Sequence, residues 1–360
     1  MATRTAVVGD KERRRPMERA RQATLVRHLT VALVAGLVLY LVSNALSAFD
    51  NLQLATMAYS FTAVAGLTVL TGLNGQVSLG HGAFMCIGAY ATAKLLGEGT
   101  DHLPLALVLL LAALITAVGG VLAGAAAARL RGPYLAGATL ALAVGLPTIA
   151  DRFPTFLGAS NGLTVIPSTP PASLGATFPL ERWQAWITCL GALIVYVLLA
   201  NLMRSRYGRA FRAVRDDEVA AELAGLHVAR VQVLAFVVSA ACAGLGGGLF
   251  VVVTQLAAPG AFALTLSVAL LAAVVLGGLG SLWGAALGSA AIVLIPQWSD
   301  DLSKSLSLSS NVQANLALAV YGALLIGVML AAPRGLAGAF DWVHQQVRRA
   351  STRREEEEQA

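Results

Sequence analysis

The chain has 360 residues, 57% of them hydrophobic and only 12% charged, with 36 glycines and a formal net charge of +6. A soluble domain of this size carries roughly 25% charged residues, so the composition excludes an ordinary water-soluble enzyme. Its Ala/Leu/Gly-rich runs are continuous, not alternating, and argue against a strand-built barrel; its arginines are sorted along the chain in a way that points to membrane topology, not nucleic acid.

Residues 1–30 form a basic segment that includes Arg13, Arg14 and Arg15. Ten apolar runs follow, near 31–49, 52–72, 81–97, 104–128, 134–150, 184–202, 231–254, 262–280, 283–297 and 313–332. Most approach or exceed the ~20 residues that cross a bilayer as helix. The predicted fold is therefore an all-α integral membrane protein, a polytopic bundle of about ten transmembrane helices. The first run has small residues near Ala45 and Ser47, as a signal peptide would. It is longer than a usual signal-peptide apolar region and is read as a span. The pair 262–280 and 283–297 is short and glycine-interrupted, leaving open one span plus a re-entrant piece.

Placing the basic amino end in the cytoplasm and alternating puts 1–30, 74–80, 129–133, 203–230, 281–282 and 333–360 inside. These segments hold every one of the 25 Lys/Arg except Lys94, Arg152, Arg182 and Lys304. That asymmetry predicts a multi-pass membrane protein with both termini inside; the resemblance given below implies the bacterial cytoplasmic membrane. The expected organisation is a basic segment 1–30, a transmembrane domain 31–332 and a cytoplasmic tail 333–360. The transmembrane domain carries a charged inner loop, 203–230, and a proline-rich outer loop, 151–183.

Taken in order, the first polar break is "NGQVSLGHGAF" (74–84). It places Asn74, Gln76, Ser78 and His81 between apolar runs, with glycines at which backbone can bend. His81 is expected to be the only histidine in or bordering the apolar core. It is either a hydrogen-bonding group of a pathway or a residue satisfied by backbone at a helix start. Thr139, Asn161, Gly162 and Thr164 are further polar candidates; "SNGLTVIP" (160–167) lies in the outer loop. A short echo, G-x-x-S-L, appears at Gly75–Leu79 and at Gly278–Leu282, which brings in Ser281. Glycine-interrupted segments matched between two halves can mark a transport site. The glycines of "GLGGGLF" (244–250) and "GGLGSLWG" (277–284) read as close helix packing. The tail ends in Arg353, Arg354 and Glu355–Glu358, a solvated face.

The stretch Arg204–Leu226, "RSRYGRAFRAVRDDEVAAELAGL", is dense in charge. Asp216 or Asp217 can cap a helix, Glu218 suits its positive end, and Gly225 can stop it. Val219, Leu223 and Leu226 would share a face of a helix about 14 Å long. Arg204, Arg206, Arg209, Arg212 and Arg215 lead into it. An element of this kind can dock reversibly in a groove of a partner.

The energy source is not visible in the chain. No Asp or Glu sits well inside a predicted span, as an ion relay usually requires. The only lysines are Lys11, Lys94 and Lys304, and none completes a phosphate-binding loop. Cys86, Cys189 and Cys242 lie singly in apolar runs, without the spacing of a metal site or a redox pair.

Five ordered stretches carry a resemblance: "GLNGQVSLGHGAFMCIGAYATA" (72–93), "RGPYLAGATLAL" (131–142), "GRAFRAVRDDEVAAELAGLHVARVQVLAFVVSAACAGLGGGLF" (208–250), "VLGGLGSLWGAALGS" (275–289) and "PRGLAG" (333–338). Together they resemble permease subunits of ABC importers for branched-chain amino acids, of the LivM type. The resemblance implies an ABC importer permease with no covalent chemistry of its own. It implies that ATP and magnesium are bound by two separate ATPase subunits, LivG/LivF-like. A LivH-like second permease and an extracytoplasmic substrate-binding protein complete the expected partners, in a setting of membrane lipid and without nucleic acid. The charged loop corresponds to the ATPase-contacting loop of such permeases, whose general form E-A-A-x-x-x-G is varied here. The residues it assigns to coupling are Arg212, Arg215, Asp216, Asp217, Glu218, Ala221, Glu222, Leu223 and Gly225. The candidate pathway residues, taken from the polar breaks described above, are Asn74, Gln76, Ser78, His81, Thr139, Asn161, Gly162 and Ser281. Related permeases carry urea and short amides, which stands as the alternative; an ion-coupled secondary transporter is the more distant one.

Overall fold

A computed structural model describes residues 3–97, 103–130, 132–166, 169–175, 177–306, 335–338 and scattered positions between 316 and 330; side chains are described from residue 24 onward, apart from 133 and 172. The helices are α1 (Thr3–Ala45), α2 (Ala48–Leu67), α3 (His81–Gly97), α4 (Leu105–Ala127), α5 (Pro133–Arg152) and the single turn α6 (Pro154–Leu157). They continue with α7 (Leu180–Arg204), α8 (Arg206–Asp216), α9 (Glu218–Leu223), α10 (Val228–Thr254), α11 (Leu264–Gly277) and α12 (Leu282–Ser305). The chain is thus a helical membrane bundle. Eight of its helical stretches are long and apolar enough to cross a bilayer among the described residues. Of the predicted run 313–332, twelve of the twenty positions lie outside the described residues, and the eight described ones are helical.

Burial sorts the helices. Two-thirds (67%) of the most apolar window is buried in both α2 and α10, against 11% for the span in α1. The reason α10 is central is written in its glycines. A Cβ on Gly246 would stand 2.6 Å from Thr62 Oγ1 of α2, and one on Gly248 2.6 Å from Thr92 Oγ1 of α3. One on Gly247 would meet the Met85 carbonyl of α3, and one on Gly244 would reach within 2.5 Å of Thr116 Cβ on α4. Small residues let backbones approach where no hydrophobic effect drives association. The packing expected for "GLGGGLF" is therefore what builds the core.

The segments expected on one side of the membrane meet on one side of the bundle. Arg215 of α8 bonds Gly72 O at 2.8 Å, and Gln232 at the start of α10 bonds Glu218 of α9 at 2.8 Å. On the opposite face, Leu163–Thr164 (β1) pairs antiparallel with Leu256–Ala257 (β2), and Lys94 lies 4.5 Å over the Phe156 ring.

Several boundaries differ from those expected. Helix α1 runs from Thr3 to Ala45, so the basic segment is helical and continuous with the first span. Ser47 then caps α2, its Oγ accepting from Asp50 N at 3.2 Å. The glycine-interrupted pair is two antiparallel helices. A Cβ on Gly284 would stand 2.8 Å from Gly277 C, and one on Gly288 2.8 Å from Ala273 C. Helix α12 continues through Pro296 to Ser305, well past the expected end. Finally, His81 is not alone in the core: His28 on α1 is buried, with Nδ1 3.0 Å from Asn201 Oδ1 of α7.

Candidate functional site

The break between α2 and α3 is built from two irregularities. Helix α2 widens into a π-turn, Thr68–Leu73, after which Asn74 N bonds Val69 O at 3.2 Å and Gln76 N bonds Leu70 O at 3.2 Å. Gly75 takes a left-handed φ of +75°, which turns the chain back toward the core. Residues 77–80 then run without regular structure, bending at Leu79, to His81, where α3 starts. His81 Nε2 donates to Ala63 O at 2.9 Å, more than two turns before the end of the π-turn at Leu73, so this non-helical segment reaches into the bundle. Such backbone is tolerated at membrane depth only where protein surrounds it. Thr139 of α5 accepts from Leu79 N at 3.0 Å, and Ser267 of α11 accepts from Gly82 N at 3.0 Å.

Five of the expected pathway residues, Asn74, Gln76, Ser78, His81 and Thr139, therefore lie together, and all five are buried. Asn74 Nδ2 and Oδ1, Gln76 Oε1 and His81 Nδ1 have no hydrogen-bond partner among the described residues. An unmet buried polar atom costs about 1–3 kcal/mol, and a group of them beside a cavity is where water or a ligand would supply the partners. Ser281 sits in the neighbouring break between α11 and α12, where its Oγ caps Gly284 N at 3.2 Å. The two breaks touch: a Cβ on Gly72 would stand 2.8 Å from Gly280 Cα. Gly278, like Gly75, has positive φ (+115°). The sequence echo is nevertheless used differently, since α12 begins directly after Ser281 whereas α3 begins three residues after Ser78. Asn161 and Gly162 are not part of this group. They lie on the opposite face, where Gly162 packs on Ala258 Cα, 2.7 Å from the Cβ it lacks; Thr164 is in β1 beside them.

The charged loop is a helix pair, not a single lead-in and helix. Ser205 caps α8, and Asp216 ends it; Asp217 alone is the cap of α9, its Oδ1 accepting from Val219 N at 2.9 Å and Ala220 N at 3.0 Å. Helix α9 has only six residues, about 9 Å, shorter than the expected 14 Å. It closes with Leu226 N bonding Ala221 O at 3.0 Å and Gly225 N bonding Glu222 O at 2.9 Å, with Gly225 at φ +85°. Of the expected apolar face, Val219 and Leu223 turn outward, 66% and 86% exposed with Glu222 exposed beside them, and Leu226 is half-buried; Ala221 is the residue that packs inward.

Arg215 joins the two assemblies. Its Nη1 donates to Gly72 O at the end of the π-turn, its stem lies 2.7 Å from the Cβ position of Gly75, and Nε and Nη2 hold Asp216 Oδ1 at 3.0 and 2.8 Å. A cavity of about 560 Å³ separates the break from the charged helices, lined by Asn74, Gln76, Asp217, Glu218 and Gln232 among others. Arg212, by contrast, turns back to Met203 O at 3.2 Å. Sequence reasoning missed Gly72, Gly280 and Gln232. The signal available for Gln232 was a lone amide at the polar start of an apolar run.

The profile of the family described as "Branched-chain amino acid transport system / permease component" matches residues 48–329. The chain is 33% identical over 315 residues, 79% of its length and 69% of the relative's, to the high-affinity branched-chain amino acid transport system permease protein LivM of Salmonella typhimurium. It is 34% identical over 309 residues, 78% of its length and 68% of the relative's, to LivM of Escherichia coli. It is also 28% identical over 295 residues to the permease protein LivH of Salmonella typhimurium, covering 91% of that protein. No solved structure matches the chain.

Proposed function

Because the chain belongs to the family of branched-chain amino acid transport system permease components, we propose that it forms one half of a membrane pathway for branched-chain amino acids, driven by separate ATPase subunits that dock on α9. A homologous LivH-like permease supplies the other half, and an extracytoplasmic binding protein delivers the substrate. The basic face of the bundle is cytoplasmic, with both termini on that side.

The observation that carries this reading is the two-sidedness of the charged loop. Its outer surface offers Leu223, 86% exposed, with Val219 and Glu222 beside it. An apolar side chain ringed by polar groups, off the bilayer core, suits a reversible protein interface. Its inner surface is tied to the break by Arg215 and to α10 through the Glu218–Gln232 bond. A push on α9 therefore reaches the segment that holds Asn74, Gln76 and His81. The unmet amide atoms of Asn74 and Gln76 gain partners when the pathway changes state or holds an amino acid. In this scheme the permease breaks no covalent bond. It positions, and alternates access between the two faces.

The test is co-purification in mild detergent of this chain with ATPase and second-permease subunits encoded beside it, followed by reconstitution. The expected result is ATP-dependent leucine, isoleucine or valine uptake that disappears without the ATPases. Accumulation driven by an ion gradient with no ATPase present sinks the proposal, and uptake of urea in place of these amino acids redirects it to the amide-carrying relatives.

A further inference from the structure

We propose that this chain binds an anionic phospholipid of the leaflet on its basic face, with the phosphate held by Arg27, Arg204 and Arg212 and an acyl chain laid along the groove between α1, α2, α7 and α12. The proposal does not depend on which solute is transported.

Two neighbouring hollows carry it. The first, of about 410 Å³, opens on the basic face and is lined by Arg27, His28, Arg204, Arg212 and Trp283, with no Asp or Glu in its wall. Among the described residues none of the three arginines pairs with a carboxylate; the bond of Arg212 to Met203 O leaves the rest of its guanidinium free. His28 is already committed to Asn201, so it braces the wall and does not compete for the ligand. Three arginines around one hollow at the basic ends of the spans, Arg27 and Arg204 exposed and Arg212 half-buried, suit an anion, and guanidinium forks match phosphate oxygens.

The second hollow, about 220 Å³, is an apolar groove that reaches Leu39 and Leu54. The two share Val31, Tyr196, Leu282 and Trp283, so the basic hollow leads directly into the apolar one. From Val31 to Leu39 the groove follows α1 for about 12 Å, a large part of an acyl chain. Trp283 is 65% exposed at the junction and stands 6.3 Å, centroid to centroid, from Tyr196. Aromatic rings at the level of the headgroups are the usual anchors of a membrane interface. A free phosphate explains the arginines but not the continuous groove, and a neutral lipid explains the groove but not the arginines. Basic hollows between spans on the cytoplasmic side are suited to anionic headgroups.

The position gives the lipid a purpose. Arg212 belongs to α8, and Ser281 and Leu282 border the break between α11 and α12. A lipid seated there bridges the peripheral span of α1 to the charged helix pair.

The test uses the full chain in vesicles of equimolar phosphatidylglycerol and phosphatidylcholine, extracted in mild detergent and read by native mass spectrometry. Phosphatidylglycerol is expected to be retained at least about tenfold over phosphatidylcholine, given three arginines at one headgroup. Replacing all three (R27Q, R204Q, R212Q) should erase the preference, and filling the groove (A35L, A290L) should lower retention of both lipids while the chain stays monodisperse. Equal retention of the two lipids by the unaltered chain overturns the proposal. So does displacement of the lipid by inorganic phosphate with no effect of the groove-filling pair, which identifies a free-anion site. Photocrosslinking from position 290 to residues 313–332 of the same chain also overturns it, because that segment then occupies the groove.

Discussion

Removing the Arg215 side chain (R215A) separates the two roles assigned to the charged loop. The half-exposed guanidinium makes one charge-assisted bond to Gly72 O at 2.8 Å. Bonds of this type contribute about 1.5–3 kcal/mol, and partial exposure places this one near the lower end, about 2 kcal/mol. The pair with Asp216, whose side chain is 65% exposed, adds little. A tie of about 2 kcal/mol biases a two-state element by roughly 30-fold. Amino acid transported per ATP hydrolysed should therefore fall about 10- to 30-fold in vesicles that contain the whole assembly. Co-purification of the ATPase should be unchanged, because Arg215 faces the break and α9 faces outward. R215K retains a donor for Gly72 O but loses the fork on Asp216, and should recover to within about threefold of the unaltered protein. If R215A transports as much per ATP as the unaltered protein, at equal membrane abundance, the tie does not transmit motion and the reasoning fails.

Reversing the charge in E222K, or forcing a β-branched residue onto the left-handed φ of +85° in G225V, should reduce ATPase co-purification while the chain still inserts; pull-down yields compared at equal expression check this. G247A drives a methyl group into the Met85 carbonyl, whereas G137A has nothing within 4 Å of its new Cβ. Overpacking costs about 1–3 kcal/mol, so a thermal-stability scan in detergent should show a clear drop for the first and none for the second. In H81Q the side-chain amide can replace the Nε2 donor to Ala63 O; uptake should remain within about threefold of normal, and complete loss at normal abundance would instead assign His81 a direct place in the pathway.

Composition and the lengths of the apolar runs were enough to specify a multi-pass helical protein. Hydropathy and charge act residue by residue, whatever the neighbours, so both are legible in one dimension. The glycine run of α10 could likewise be read as close packing, because only a missing side chain permits that approach. Much of the Asn74–His81 break was visible as polar residues among apolar ones. What the sequence could not supply was pairing across distance. That Gly72 lies against Gly280, that Arg215 turns inward to Gly72 O while Leu223 turns outward, and that His28 is buried against Asn201 all depend on how separate helices cross. A six-residue helix such as α9 has too few turns for periodicity to say which face is covered. Only the bundle decides that, because burial belongs to the packed helices and not to any single segment.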